Sequence, residues 1–368
     1  MSPMSLSAYC GARRYSTVFC SSILWTIALL AAPLFGCEEI APLPSIGGND
    51  ADGDGDTDVD IDSDSDVDAD SDTDADTDTD TEELPDAGID CDALPPSPSG
   101  MAMIDDVPSS DDLVFDTNGN LVGMSGQNLF KIPKFGTPSL WVEGAGCERG
   151  LVALPTGDFA CGGADKLYLF DKLTGARRIV VAGLRQPAGI EIDPNGDIYV
   201  TEQIGDSVRM VHPYTSASES IAEDLPEPGG LTFSPDFRTL YVASACDAIY
   251  VIRFDKDRQP EPPKPFLTTA DPVAIAAGMT GCLAGMGVDS CGNLYVLTGD
   301  DPRLFRVTPD ASAVTQLADL RSAVSSVANL EWGRGSGDFF DDALYVTCSD
   351  DTLFEIRVDV TNKSYTQF

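Results

Sequence analysis

From Asp112 onward the chain repeats one pattern six times, and this repetition limits the possible folds more than any other feature. Each copy holds a short apolar strand, a turn rich in Asn, Asp or Gly, a second strand, another turn and a third strand. The copies begin DLVFDTNGNLVGM at Asp112, GLVALPTGDFACGG at Gly150, GIEIDPNGDIYVTE at Gly189, GLTFSPDFRTLYVAS at Gly230, GMGVDSCGNLYVLT at Gly285 and NLEWGRGSGDFFDDALYVTC at Asn329. Their second strands are anchored by Leu121, Phe159, Ile198, Leu240, Leu294 and Leu344, at spacings of 38, 39, 42, 54 and 50 residues. A period near 40 with several strands per unit marks the blades of a propeller. One blade cannot bury both faces of its sheet, so blades stack around an axis. Asn195-Gly196, Thr156-Gly157 and Cys291-Gly292 supply the positive φ that tight hairpins need. Weaker outer strands are read at Arg178–Ala182 and Ser218–Ala222. Lys256–Ala277 and Ser322–Ser326 interrupt the spacing, and the first, with its EPPKPF stretch, is expected to be a surface loop. The expected fold is all-β: a six-bladed β-propeller over residues 105–368, preceded by a signal peptide and a disordered acidic stalk.

The leader is read over residues 1–36. Arg13 and Arg14 precede an apolar run from Val18 to Phe35, as in a secretory signal. The run is short for a membrane span and Pro33 interrupts it. Leu34-Phe35-Gly36-Cys37 resembles the bacterial lipobox. That resemblance implies a diacylglycerol on the Cys37 thiol and a third acyl chain on the amine freed by cleavage, and two or more chains hold a protein stably to a membrane. A plain signal peptide and a transmembrane anchor are the alternatives. The expectation is an exported bacterial lipoprotein, on the periplasmic side of a membrane or at the cell surface.

Residues 37–104 read as stalk and linker. The chain carries a net charge of −39, and no Lys or Arg occurs between Arg14 and Lys131. Residues 50–83 hold 16 Asp and 2 Glu, with Asp alternating with small or β-branched residues. Like charges on one strand face repel, and high charge with low hydrophobicity implies an extended, disordered spacer. Such acidity excludes nucleic acid as a partner. Asp50-Ala51-Asp52-Gly53-Asp54-Gly55 matches the first half of a calcium loop, but its twelfth position is Ile61 rather than a bidentate Glu. Asp50, Asp52, Asp54 and Asp56 are therefore candidates for weak, multisite calcium association, and no other cofactor is expected.

The third copy, GIEIDPNGDIYVTEQIGDSVRMV, looks like an NHL repeat. The set as a whole, with GLTFSPD…TLYVAS and GMGVDSCGNLYV, resembles the gluconolactonase and senescence-marker-protein family over about residues 105–368. That resemblance implies one divalent metal at the top of the channel. Its ligands would be a Glu at the start of the first inner strand, Asn residues in two middle blades, and an Asp before the Gly of a later blade. The metal would polarise a lactone carbonyl while a carboxylate activates water. Carried over to this chain, the Glu position is Asp111 or Asp112, and the other three are Ala188, Gly229 and Ala284. Three of the four oxygen ligands are thus replaced by residues that cannot coordinate through a side chain. The favoured reading is a non-enzymatic propeller that binds a small ligand or protein partner at its upper face, with the membrane reached through Cys37. A lactone or ester hydrolase with relocated ligands, and a structural surface module, are the alternatives.

In a propeller, the loops after second strands share one face with the residues preceding inner strands. This places Arg149, Gln186, Glu202, Gln203, Glu227, Asp247, Asp300 and Asn329 on the upper face as binding candidates, with Cys147, Glu148 and Asp301 beside them. They form either a polar rim or a binding funnel. Glu331 and Trp332 fall on the last inner strand, where they could line the channel. His212, the one histidine of the chain, reads as a surface residue. Seven cysteines follow Cys37, and in an exported protein they read as disulfides. The expected pairs are Cys246–Cys282, Cys147–Cys161 and Cys91–Cys348, leaving Cys291 free.

Overall fold

A computed structural model describes residues 89–362. The leader, Cys37 and the segment with Asp50, Asp52, Asp54 and Asp56 lie outside the described residues. Those described form six four-stranded antiparallel sheets. The inner strands are Asp112–Phe115, Arg149–Ala153, Pro187–Ile192, Pro228–Phe233, Leu283–Val288 and Val327–Trp332. Five blades run inner to outer in chain order. The sixth takes its outer strand, Gly100–Ile104, from the start of the domain, pairing Gly100 with Arg357 and Ile104 with Leu353. First and last segments therefore close the ring together.

Alternating side chains give each sheet two apolar faces, and the core lies between neighbouring blades. Tyr199 of the third blade meets Phe233 of the fourth edge-on, with centroids 4.9 Å apart. Phe115 of the first blade meets Tyr345 of the sixth at 5.2 Å. Near the axis the backbones themselves touch. A Cβ on Gly230 would lie 2.5 Å from the carbonyl oxygen of Ala284, and one on Gly189 would lie 2.5 Å from that of Gly229. Only glycine permits this approach. At the lower end the hairpins share one turn chemistry. Asp193 Oδ1 accepts from the amides of Asn195 and Asp197 at 2.8 and 3.1 Å, and Asp116 does the same for Asn118 and Asn120.

Three sequence expectations are corrected. Residues 100–104 belong to the propeller, not to a linker: they form an outer strand with no buried residue, so they carry no apolar pattern to read. The EPPKPF stretch is not all loop, because Lys264–Thr268 is the outer strand of the fourth blade. Pro265 is tolerated there because an outer edge needs fewer ladder donors. Lastly, Cys91 bonds Cys291, and Cys348 is the buried free thiol. The first pairing follows from the path of the chain, which enters beneath the fifth and sixth blades. Leu94 packs against their core cluster there and accepts a hydrogen bond from Arg306 Nη2 at 3.4 Å. The Cys348 side chain is instead fully buried in the core cluster between the fifth and sixth blades. Cys147–Cys161 and Cys246–Cys282 are bonded as expected.

Candidate functional site: the upper mouth of the channel

The inner strands leave a cavity of about 350 Å³ at the upper end of the axis. Its shape comes from irregular pairing. The inner strands of the third to sixth blades each shift register at the mouth, between Pro187 and Ile190, Pro228 and Leu231, Leu283 and Met286, and Val327 and Leu330. Such bulges re-aim the residues they contain. In the third and sixth blades a threonine on the second strand satisfies the displaced amide. Gly189 N donates to Thr201 Oγ1 at 2.8 Å, and Asn329 N donates to Thr347 Oγ1 at 2.9 Å. Ala188, Gly229 and Ala284 all line the cavity. Their small size is what opens it.

The polar side of the lining comes from the first, second, third and sixth blades. Asp112 is 3% exposed, and its Oδ1 accepts from Asn329 Nδ2 at 2.5 Å and Leu113 N at 2.7 Å. Burial pushes its pKa up to about 7, and the hydrogen bonds offset this only in part. Asp111 is also raised, chiefly by burial and further by the nearby Asp351, while Gly126 N and Arg149 act in the opposite direction. Across the mouth, Arg149 Nη1 donates to Gln203 Oε1 at 2.7 Å and joins the second and third blades.

Of the eight upper-face candidates, Arg149, Gln203 and Asn329 line this cavity. Gln186, Glu227, Asp247 and Asp300 lie in the surrounding loops. The Gln186 carbonyl accepts from Gln203 N at 2.9 Å, and Asp300 Oδ1 accepts from Cys282 N at 2.8 Å. Glu202 is not available to a ligand. It is 1% exposed and accepts from Arg185 N, Ser207 Oγ and Arg209 Nε at 2.9, 2.9 and 3.2 Å, fastening the upper loop of its blade. Chain position could not separate Glu202 from Gln203, but the strand ends at Glu202 and Gln203 opens a 3-10 turn, so only Gln203 reaches the mouth. Ser110 also lines the cavity and went unread, since a serine before a strand carries no signal of its own.

Below the mouth the channel narrows between Glu191, Glu331 and Arg334. Glu331 was expected there. Glu191 holds the same place in its copy, GIEI against NLEW, which is the signal that could have found it. Trp332 is 3% exposed and packs edge-on against Tyr295 at 5.2 Å. His212 pairs through Nδ1 with the Asp197 carboxylate, away from the cavity.

The family's metal does not fit the residues present. Of the four positions that the resemblance implies, only Asp111 or Asp112 bears a side-chain oxygen, the others being Ala188, Gly229 and Ala284, and Asp112 is already engaged with the Asn329 amide. Among the described residues, no group of three His, Cys, Asp or Glu side chains is placed to hold a metal ion.

No family model and no curated protein sequence matches the chain. Solved structures do. A gluconolactonase from Xanthomonas campestris superposes with a TM-score of 0.58 at 16% identity, covering 71% of this chain and 91% of that one. Regucalcin from Agrobacterium tumefaciens, a calcium-binding protein, gives 0.57 at 14% identity, covering 73% and 94%. An auxiliary nutrient binding protein from Bacteroides ovatus gives 0.56 at 13% identity, covering 68% and 69%. At these identities the likeness is one of fold, and that fold is the gluconolactonase- and regucalcin-like six-bladed propeller.

Proposed function

We propose that this propeller is a non-enzymatic, lipid-anchored extracytoplasmic module that binds a small polar ligand or a protein partner at its upper mouth. The observation that carries the reading is the lining of the cavity. Ala188, Gly229 and Ala284 stand where the resembled family places oxygen ligands, and they widen the cavity instead of coordinating. What remains is a concave site with a few convergent polar groups, namely Asp111, Asp112, Arg149, Gln203 and Asn329. That one solved neighbour is named a nutrient binding protein is compatible with a binding role for such a propeller. Cys37 carries the anchor, placing the protein on the periplasmic side of a membrane or at the cell surface, and the Asp-rich segment from Asp50 acts as a spacer that associates weakly with calcium.

Thermal-shift and calorimetric screening of the intact chain against sugars, sugar acids, amino acids and short peptides tests the binding role. Saturable binding weakened at least tenfold by Arg149→Ala supports it. Turnover of lactones or esters, with a stoichiometric tightly held cation, sinks it. For the anchor, cells fed a radiolabelled fatty acid should label the wild-type chain and not Cys37→Ala.

A second reading, a hydrolase that works without the family's metal, is favoured by one feature. A buried carboxyl with a pKa near neutrality, as at Asp112, is what a general acid or base requires. The same turnover assays with Asp112→Asn decide it.

A further inference from the structure

The strand that closes the ring is held weakly by its own contacts. None of the residues Gly100–Ile104 is buried, and Met101 and Met103 are 56% and 53% exposed. The outer strands of the second, fourth and fifth blades bury Val180, Leu267 and Leu317, whereas the closing strand, like the first blade's outer strand Ser139–Val142, buries none and sends only Ile104 against a core cluster. An edge strand held mainly by ladder hydrogen bonds frays readily.

Both flanks of this strand are tied down. Below it, Ser99 N donates to the Arg357 carbonyl at 3.0 Å and Ser99 Oγ to Asp359 Oδ1 at 2.6 Å. Further upstream, Cys91 is bonded to Cys291, in the lower turn of the fifth blade, across a sequence separation of 200. Above it the chain runs directly into the mouth. Val107 N donates to the Asp351 carbonyl at 2.8 Å, and Ser110 N to Asp351 Oδ1 at 3.2 Å. Ser110, Asp111 and Asp112 then line the cavity. One uninterrupted segment thus links the lower-face disulfide to the polar wall of the upper cavity.

We infer that the Cys91–Cys291 bond is a clamp that holds the closing strand in place and, through it, sets the order of the Ser110–Asp112 wall of the cavity. The clamp is open to redox control. Cys91 is exposed and Cys291 half-buried, as are Cys246 and Cys282 in their own bridge, whereas Cys147 and Cys161 are fully buried. An external dithiol can reach the Cys91–Cys291 bridge before the buried Cys147–Cys161 bridge. Its two thiols become one disulfide, and the Sγ–Sγ bond takes up two electrons and two protons to give two cysteine thiols. The inference goes beyond the binding role and holds whatever the ligand is.

The test is hydrogen–deuterium exchange read by mass spectrometry on the full chain, comparing wild type with Cys91→Ala/Cys291→Ala. Amides of residues 100–104 and 107–112 should exchange at least tenfold faster in the variant, while Ser218–Ala222 and Val314–Asp319 stay unchanged. Unchanged exchange over 100–112 overturns the clamp, and so does equal acceleration in all six blades. If the variant does not fold, the same comparison is made on wild type before and after brief treatment with dithiothreitol and alkylation. The alkylated sites must then include Cys91 and Cys291, and the same treatment of Cys246→Ala/Cys282→Ala removes the contribution of the other exposed bridge. Prior loss of Cys147–Cys161, or an unchanged closing strand once Cys91 is alkylated, overturns the inference equally.

Discussion

Asn329 Nδ2 donates to Asp112 Oδ1 at 2.5 Å, joining the sixth blade to the first across the closure of the ring and inside the upper cavity. The contact pairs a neutral amide with a carboxyl that burial disfavours as an anion. Because the folded-state pKa of Asp112 is raised from 3.8 to about 7, the folded protein holds this proton more tightly than the unfolded chain. The stability it contributes is full below pH 4 and is lost as pH rises toward 7. At one pKa unit per 1.4 kcal/mol the loss is at most about 4 kcal/mol. Asp111 and Asp289, also raised, act in the same direction. Urea unfolding at pH 4.5 and pH 8 should show Asp112→Asn with a smaller drop than wild type. Equal drops would show that Asp112 is not the titrating group.

Gly229 and Gly230 are neighbours with opposite tolerance. A Cβ on Gly230 would meet the Ala284 carbonyl oxygen at 2.5 Å, which is backbone and cannot step aside cheaply. One on Gly229 would find its nearest atom, the Ala243 carbonyl oxygen, at 4.0 Å. Gly230→Ala should therefore cost about 2 kcal/mol or more, and Gly229→Ala less than about 0.5 kcal/mol. Denaturant midpoints of the two variants check the contrast.

What could be read from the chain followed the strength of the local signals. The blade count came from paired features, an apolar strand and a Gly or Asn turn, repeated at Leu121, Phe159, Ile198, Leu240, Leu294 and Leu344. The closing strand had no such feature, since Met101 and Met103 point outward and its partner is more than 240 residues away, at Leu353–Arg357. Cys246 and Cys282 were legible as partners because the blade order alone brings their loops together. Cys91 was not, because its partner depends on the path of a segment outside the repeat. At the mouth, position distinguished the upper face from the lower. It could not tell Glu202, turned into its blade, from Gln203, turned to the axis.

The ring is also closed at its lower end by charge. Lys134 Nζ of the first blade lies 2.7 Å from Glu355 Oε2 of the sixth, with both side chains about one-tenth exposed, and Tyr345 OH donates to the same oxygen at 2.6 Å. Removing Lys134 leaves a buried carboxylate with the tyrosine hydrogen bond and the more distant Arg357 charge. Lys134→Ala should cost about 3 kcal/mol, and Lys134→Met combined with Glu355→Gln should recover most of it. The lysine also sits 3.9 Å over the Phe340 ring, so part of the loss in the single variant is packing. Thermal unfolding of both variants separates the two contributions. If the double variant is as unstable as the single, the uncompensated charge is not the cause.

Restoring ligands at the mouth tests whether the three small residues stand where the resemblance puts them. Ala188, Gly229 and Ala284 line one cavity together with Asp111, Asp112 and Asn329. Space exists for a larger side chain at Gly229, where nothing approaches an added Cβ closer than 4.0 Å. Ala188→Asn, Gly229→Asn and Ala284→Asp together would add three oxygen donors facing the Asp111–Asp112 wall. Hard divalent cations need several such oxygens at about 2.3–2.6 Å, and a carboxylate among them raises affinity most. The triple variant should bind calcium or manganese with a Kd of about 10⁻⁴ M or tighter, measured by calorimetry, with roughly one ion per chain. The same variant carrying Asp112→Asn should bind at least tenfold more weakly, because the wall supplies the remaining charge. A folded triple variant that binds no better than wild type would mean that the three positions do not converge on one point.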